Sequence, residues 1–191
     1  MQEPIILIGP MNVGKSTIGK LLSEATCLPQ LSLDELRWKY YEESGFGKEK
    51  VDLYIEEHGF LNTFWYWKKY EAYTVERTFE DYQYGVFDLG GGHSVYEDPV
   101  LFKRVSQCLE PFDNVVLMLP SEDKNESIEI LLDQGREKSK KCKHLKPEYW
   151  MPILIEHFVN DPSNELLANH IVYTKGKTPA MTRDEILERL R

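Results

Sequence analysis

The residues best able to do chemistry lie together in Gly9-Pro10-Met11-Asn12-Val13-Gly14-Lys15-Ser16-Thr17, a full match to the Walker A pattern G-x-x-x-x-G-K-[ST]. That chemistry is phosphate binding. Gly9 and Gly14 let the loop, with Asn12 and Val13 between them, turn its N–H groups inward. The helix opening behind the loop adds its positive dipole end. Lys15 then reaches the β- and γ-phosphates, the Ser16 hydroxyl ligates Mg²⁺, and Thr17 completes the motif. The pattern predicts a nucleoside triphosphate site. No Asn-Lys-x-Asp guanine signature appears, which favours ATP.

The elements that must hold this loop are legible on either side. Ahead of it, Ile5–Ile8 is a short apolar run bounded by turn residues, reading as a buried parallel strand. Behind it, Ile18, Leu21 and Leu22 recur at helical spacing. Further strands are expected at Gln30–Leu33, Val86–Leu89, Val115–Leu119 and His170–Tyr173, with helical patterns between them. This alternation predicts an α/β fold with a parallel sheet covered on both faces. A terminal helix carries Ile186, Leu187 and Leu190, and its start is expected at a capping box, Thr182-Arg183-Asp184-Glu185.

Composition narrows the partners. With 191 residues and 41% hydrophobic residues, a single domain spanning 1–191 is expected. A net charge of −9 argues against a nucleic acid partner and for a small molecule. The three cysteines, Cys27, Cys108 and Cys142, show no metal or redox spacing. No apolar run approaches the ~20 residues that span a bilayer, and the N-terminus lacks a basic export signal. The expectation is a cytoplasmic protein, monomeric or homodimeric, with no membrane partner.

Two segments interrupt the alternation. Residues 36–84 form a helical insertion dense in aromatics, in which Phe60, Phe64, Trp67 and Tyr70 recur at helical spacing. Such a stripe is read as core, and the insertion as the place for an acceptor pocket. Residues 135–147 begin Gly135-Arg136-Glu137-Lys138 and carry several lysines around a single arginine. The Walker A motif favours a closing lid over a solvated loop.

Two further features sit at strand ends, where an open α/β sheet binds its ligands. Asp34 closes the second strand, and Gly90-Gly91-Gly92-His93 follows the third. Asp88 reads equally as a metal carboxylate of Walker B type and as a strand-end aspartate bonding nearby backbone. For His93 a hydrogen bond to the loop backbone is favoured over a general-base role. The other histidines show no metal spacing.

On Ile5–Thr17, Leu28–Asp34, and Gly90–Gly92 leading into Val115–Pro120, the chain resembles shikimate kinase and related small P-loop kinases. The resemblance implies a three-layer P-loop NTPase fold with a five-stranded parallel sheet of order 2-3-1-4-5, a helical substrate-binding insertion and a lid. It implies transfer of the γ-phosphoryl group of ATP, with Mg²⁺, to a hydroxyl of a small-molecule acceptor. Asp34 would hold that hydroxyl and take its proton, Gly90, Gly91 and Gly92 would touch the acceptor through backbone, and Arg136 would clamp the transferring group. Lys68, in Trp67-Lys68-Lys69-Tyr70-Glu71, would stand where the family has a carboxylate-binding arginine. Ser32 occupies the first position of the family's Asp-x-Asp pair, so its magnesium carboxylate must come from elsewhere, with Asp88 in reach. No arginine lies between Arg136 and Arg183. Other acceptors (a nucleoside, nucleotide, sugar acid or antibiotic) and a non-catalytic ATP-binding regulatory protein stay open at this stage.

Overall fold

The computed structural model describes residues 3–139 and 147–190. Its sheet holds five parallel strands in the order β2-β3-β1-β4-β5, as expected. They are β1 (Ile5–Ile8), β2 (Gln30–Ser32), β3 (Val86–Asp88), β4 (Val115–Leu119) and β5 (His170–Tyr173). The helices are α1 (Lys15–Thr26), α2 (Leu33–Glu43), α3 (Lys48–His58), α4 (Phe60–Asp81), α5 (Pro99–Leu109), α6 (Lys124–Ser139), α7 (Pro147–Asn160), α8 (Ser163–Leu167) and α9 (Pro179–Arg189).

Side chains alternate across each strand, and both faces are apolar, so the sheet is buried between two helical layers. Ile5 and Leu7 face a core built with Ile18 and Leu22 of α1, Leu131 of α6, Ile155 of α7 and Ile186 of α9. Ile6 and Ile8 face the opposite core, with Leu33 of α2, Val75 and Phe79 of α4, and Val105 of α5. Burying each such Leu, Ile or Phe contributes about 1.5–3 kcal/mol.

A third cluster joins the inserted helices to α7. Tyr41, Phe46, Phe64 and Trp67 pack there with Leu154 and Phe158, so much of the aromatic stripe is core. Phe46 stacks on Tyr70 with ring centroids 4.5 Å apart. Polar ties hold α2 along α4: Lys39 and Tyr40 both donate to Asp81, at 2.9 and 3.0 Å.

Three boundaries differ from the sequence reading. β2 ends at Ser32, not Leu33, and β3 at Asp88, not Leu89. Leu33 opens α2 and is fully buried, because helix packing on the sheet claims it. The cap of α9 is Thr178, whose hydroxyl accepts from Met181 N at 3.2 Å, and Pro179 fills the first helical position. Proline pre-sets the backbone torsion there, which moves the start four residues ahead of the expected capping box. Thr182 lies inside the helix, its hydroxyl bonded back to Thr178 O. Of the expected lid, Gly135–Ser139 continues α6 and Pro147 opens α7, while 140–146 lie outside the described residues. Among the described residues no helix is long and apolar enough to cross a membrane.

Candidate functional site

The Walker loop joins the C-terminal end of β1 to α1. Gly14, at φ 101°, sits in the left-handed region just before Lys15, a turn that a side chain would strain. No acidic residue lies in the first turn of α1, so its dipole end keeps its positive character. Lys15 is buried and donates to Gly9 O at 2.7 Å and Pro10 O at 2.9 Å. Val13 packs into the core, anchoring the loop from below. Asn12 ties it to α6 through a 3.5 Å bond to Leu131 O. A cavity of about 240 Å³ opens on Gly14, Lys15, Ser16 and Thr17, with Asp34, Asp88 and Gly91 on its far side.

Asp88 is 1% exposed and gathers three side-chain donors. Ser16 Oγ reaches its Oδ1 at 3.1 Å, Ser32 Oγ the same atom at 3.2 Å, and Gln30 Nε2 its Oδ2 at 2.7 Å. Burial raises its pKa above the ordinary carboxylate value, against the pull of these bonds. The partners are side chains from β2 and α1, where the backbone alternative would need nearby N–H groups. Ser32 stands at the helix-capping position of α2 but makes no cap bond; its hydroxyl serves Asp88 instead. Asp88 and Ser16 together offer hard oxygen ligands, the donor set Mg²⁺ takes.

A second cavity, about 290 Å³, continues beyond the first. Asp34, Met11 and Gly91 line both. Arg37, Glu71 and Gly92 add polar groups, and Phe60, Phe64, Trp67, Leu154 and Phe158 make its apolar walls. Asp34, in the first turn of α2, thus stands where the Walker-loop cavity meets the second chamber. Gly92 must lack a side chain, because a Cβ there would come within 2.5 Å of Glu71 Oε2.

No family model matches the chain. Over 169 residues, covering 88% of this chain and 80% of the relative, it is 29% identical to the shikimate kinase of Flavobacterium psychrophilum. The chain is shikimate kinase-like. Its fold is that of the Acinetobacter baumannii shikimate kinase solved in complex with shikimate, at TM-score 0.64 and 18% identity over 100% of this chain and 92% of that one. It is also that of a gluconokinase from Sinorhizobium meliloti, at TM-score 0.57 and 16% identity over 98% and 90% of the two chains.

Within this shikimate kinase-like frame, several residues sit differently from their sequence reading. Lys68 does not line the second chamber. It is 5% exposed, donates to Glu71 Oε2 at 2.8 Å and to Gly92 O, and lies over the Phe64 and Tyr96 rings. Its charge is spent behind the wall, and the charged groups that line the chamber are Asp34, Arg37 and Glu71. The sequence carried one signal for Arg37, its place one helical turn after Asp34.

The His93 ring does not bond the loop backbone; only the main-chain N–H of His93 does, to Gly90 O at 3.0 Å. It is fully buried, and neither ring nitrogen has a partner. Burial lowers its pKa below the ordinary 6.5, so the ring is neutral at pH 7. Gly90 packs between His93 and Asp34, while Gly91 and Gly92 are the glycines that face the chamber. Arg136, in the last turn of α6, is largely exposed and pairs with Asp133 at 2.8 Å. Its neighbour Gly135 packs against Asn12 of the Walker loop and Met151 of α7, which sets Arg136 close to the loop but outside both cavities. His157, read as lacking metal spacing, does meet Glu97 and Asp161 in space, with ligand atoms within 4.8 Å of one another.

Proposed function

We propose that this chain transfers the γ-phosphoryl group of ATP to a hydroxyl of a small acceptor held in the second chamber. One observation carries the reading: the Walker cavity and the aromatic chamber meet at Asp34. A kinase needs that juxtaposition, because phosphoryl transfer depends on positioning and charge stabilisation more than on covalent chemistry from the protein.

In this mechanism the loop N–H groups and Lys15 hold the β- and γ-phosphates. Ser16 and Asp88 would hold Mg²⁺, which when bound offsets charge on the phosphate oxygens. Asp34 accepts a hydrogen bond from the acceptor hydroxyl and aims its oxygen in line with the γ-phosphorus. The new P–O bond forms as the bond to the β–γ bridging oxygen breaks, ADP leaves, and Asp34 takes the hydroxyl proton. An ordinary carboxylate is a weak base, so orientation is its larger contribution. The aromatic walls exclude water, limiting wasteful hydrolysis. Arg136 and the 135–147 segment are proposed to close over the phosphates and add positive charge in the transition state.

The test is ADP release with Mg·ATP, with and without shikimate, and Lys15→Ala as the blank. Saturable stimulation by shikimate supports the kinase and that acceptor. A flat response rejects shikimate and directs the assay to other alcohols. ATP binding with no acceptor dependence at all would favour a regulatory ATP-binding protein.

A further inference from the structure

We infer that Glu97, His157 and Asp161 form a binding site for a divalent transition-metal ion, outside both cavities and independent of the kinase reading above. Their ligand atoms, one imidazole nitrogen and two carboxylate oxygens, all lie within 4.8 Å of one another.

Two segments bring these groups together. His157 and Asp161 stand one helical turn apart at the C-terminal end of α7, where Asp161 N donates to His157 O at 2.9 Å. The main-chain N–H of Ser163 donates to Asp161 Oδ1 at 2.8 Å, orienting the carboxylate as bonds behind a ligand do at metal sites. Glu97 comes from the loop that joins β3 to α5, and that loop is locked to the residues after α7. Ser94 Oγ donates to Asn164 Oδ1 at 2.7 Å, and Tyr96 N to Ser163 Oγ at 3.2 Å. The three ligands therefore meet on backbone that is already held in place.

The imidazole nitrogen is what points to a cation. His157 Nε2 is itself buried, beside the Trp65 ring in an edge contact with centroids 5.0 Å apart. It touches Glu97 Oε1, yet makes no hydrogen bond among the described residues. A neutral imidazole turns either an N–H or a lone pair toward this point. The alignment for an N–H bond to Glu97 is missing, and a lone pair set against two carboxylates is repulsive unless a cation lies between them. An imidazole beside carboxylates suits Zn²⁺ and its neighbours, whereas Mg²⁺ and Ca²⁺ take oxygen ligands. Zinc bonds such atoms at about 2.0–2.2 Å, which sets two ligand atoms at most about 4.4 Å apart. Small rotations of the exposed Glu97 side chain close the shell to that size, and water takes the fourth position. A bound ion joins the loop that follows Gly91 and Gly92 to the helix that carries Leu154 and Phe158, and these four residues line the second chamber.

The experiment titrates the metal-free full chain with Zn²⁺, and separately with Mg²⁺ and Ca²⁺, by calorimetry and by thermal denaturation without nucleotide. A single Zn²⁺ per chain is expected, with a Tm rise of about 5–10 °C at free Zn²⁺ about 100-fold above its Kd. His157→Gln, Glu97→Gln and Asp161→Asn should each weaken Zn²⁺ binding by about 10-fold or more. Glu97→Gln alters an exposed side chain, so it reads the site even where a change in α7 lowers Tm by itself. Co²⁺ in the same site should give visible d–d absorption without a near-ultraviolet thiolate band, which separates it from the cysteines. No Zn²⁺-dependent rise in the wild type overturns the inference and leaves a proton between His157 and Glu97. A rise that survives in His157→Gln and Glu97→Gln alike overturns it too, since the ion then binds other groups. An equal response to Mg²⁺ or Ca²⁺ overturns the assignment to a transition metal.

Discussion

Ser32 and Asp88 face each other across the β2–β3 ladder, and the Ser32 hydroxyl donates to the Asp88 carboxylate at 3.2 Å. The carboxylate missing from β2 is thus present one strand over, at the same level of the sheet. Moving the carboxylate back is the direct test. Asp88→Asn should weaken the apparent Mg²⁺ affinity in the ADP-release assay about 10- to 100-fold. Adding Ser32→Asp should restore much of it, because the new carboxylate faces the same point. Burial raises the pKa of Asp88, so its ionised form costs stability in the fold. The folded state then binds the proton more tightly, and stability rises as pH falls through the raised pKa. Thermal denaturation as pH is lowered toward the raised pKa measures this, and loss of that gain in Asp88→Asn ties it to Asp88. Unchanged Mg²⁺ dependence in Asp88→Asn would remove the residue from the metal site.

Lys15 is the only lysine of the Walker loop, held by the carbonyls of Gly9 and Pro10. Lys15→Ala should lower kcat/KM by about 10²- to 10³-fold or more, as expected for losing a donor aimed at developing charge. Nucleotide titration checks whether the loss lies in binding or in transfer.

Asp34 is the residue shared by the two cavities that can accept a proton. Asp34→Asn should retain ATP binding and lose transfer by about 10²- to 10⁴-fold, the usual weight of a proton acceptor in the transition state. Unchanged transfer would take Asp34 out of the mechanism.

His93 gives the fold an acid sensitivity. Its folded pKa lies below the ordinary 6.5, so the unfolded chain binds the proton first as pH falls. Stability should be full above pH 6.5 and decline below it, until the lowered folded pKa is reached. Thermal denaturation between pH 8 and 5 measures this. His93→Gln should flatten that part of the profile; an identical slope in the variant would place the sensitivity elsewhere.

Gly92 packs against a carboxylate that Lys68 fixes in place, so the crowding cannot be relieved by a simple rotation. Gly92→Ala should cost about 1–3 kcal/mol of stability, seen as a lower Tm. It should also raise the acceptor KM, since Gly92 and Glu71 both line the chamber.

The sequence by itself determined the Walker loop with its flanking strand and helix, the five strands to within a residue, and the helical insertion, because these depend on contiguous patterns. Apolar runs, helical spacing and the glycines of Gly9–Thr17 act within one turn or one strand of themselves. It also placed Asp34 and the glycines at the sheet edge. Only the tertiary structure decided which side chains meet there. Thr178 and Thr182 are both cap-type residues, and the proline after Thr178, with the packing of α9, chose between them. Lys68 and Arg37 are both cations on helices of the insertion, and the rotation of α4 turns Lys68 onto Glu71 while that of α2 leaves Arg37 facing the chamber. Asp88 became the partner of Ser32 through the register of two parallel strands separated by three helices. Such pairings follow from how elements are packed and rotated against one another, which local residue spacing does not encode.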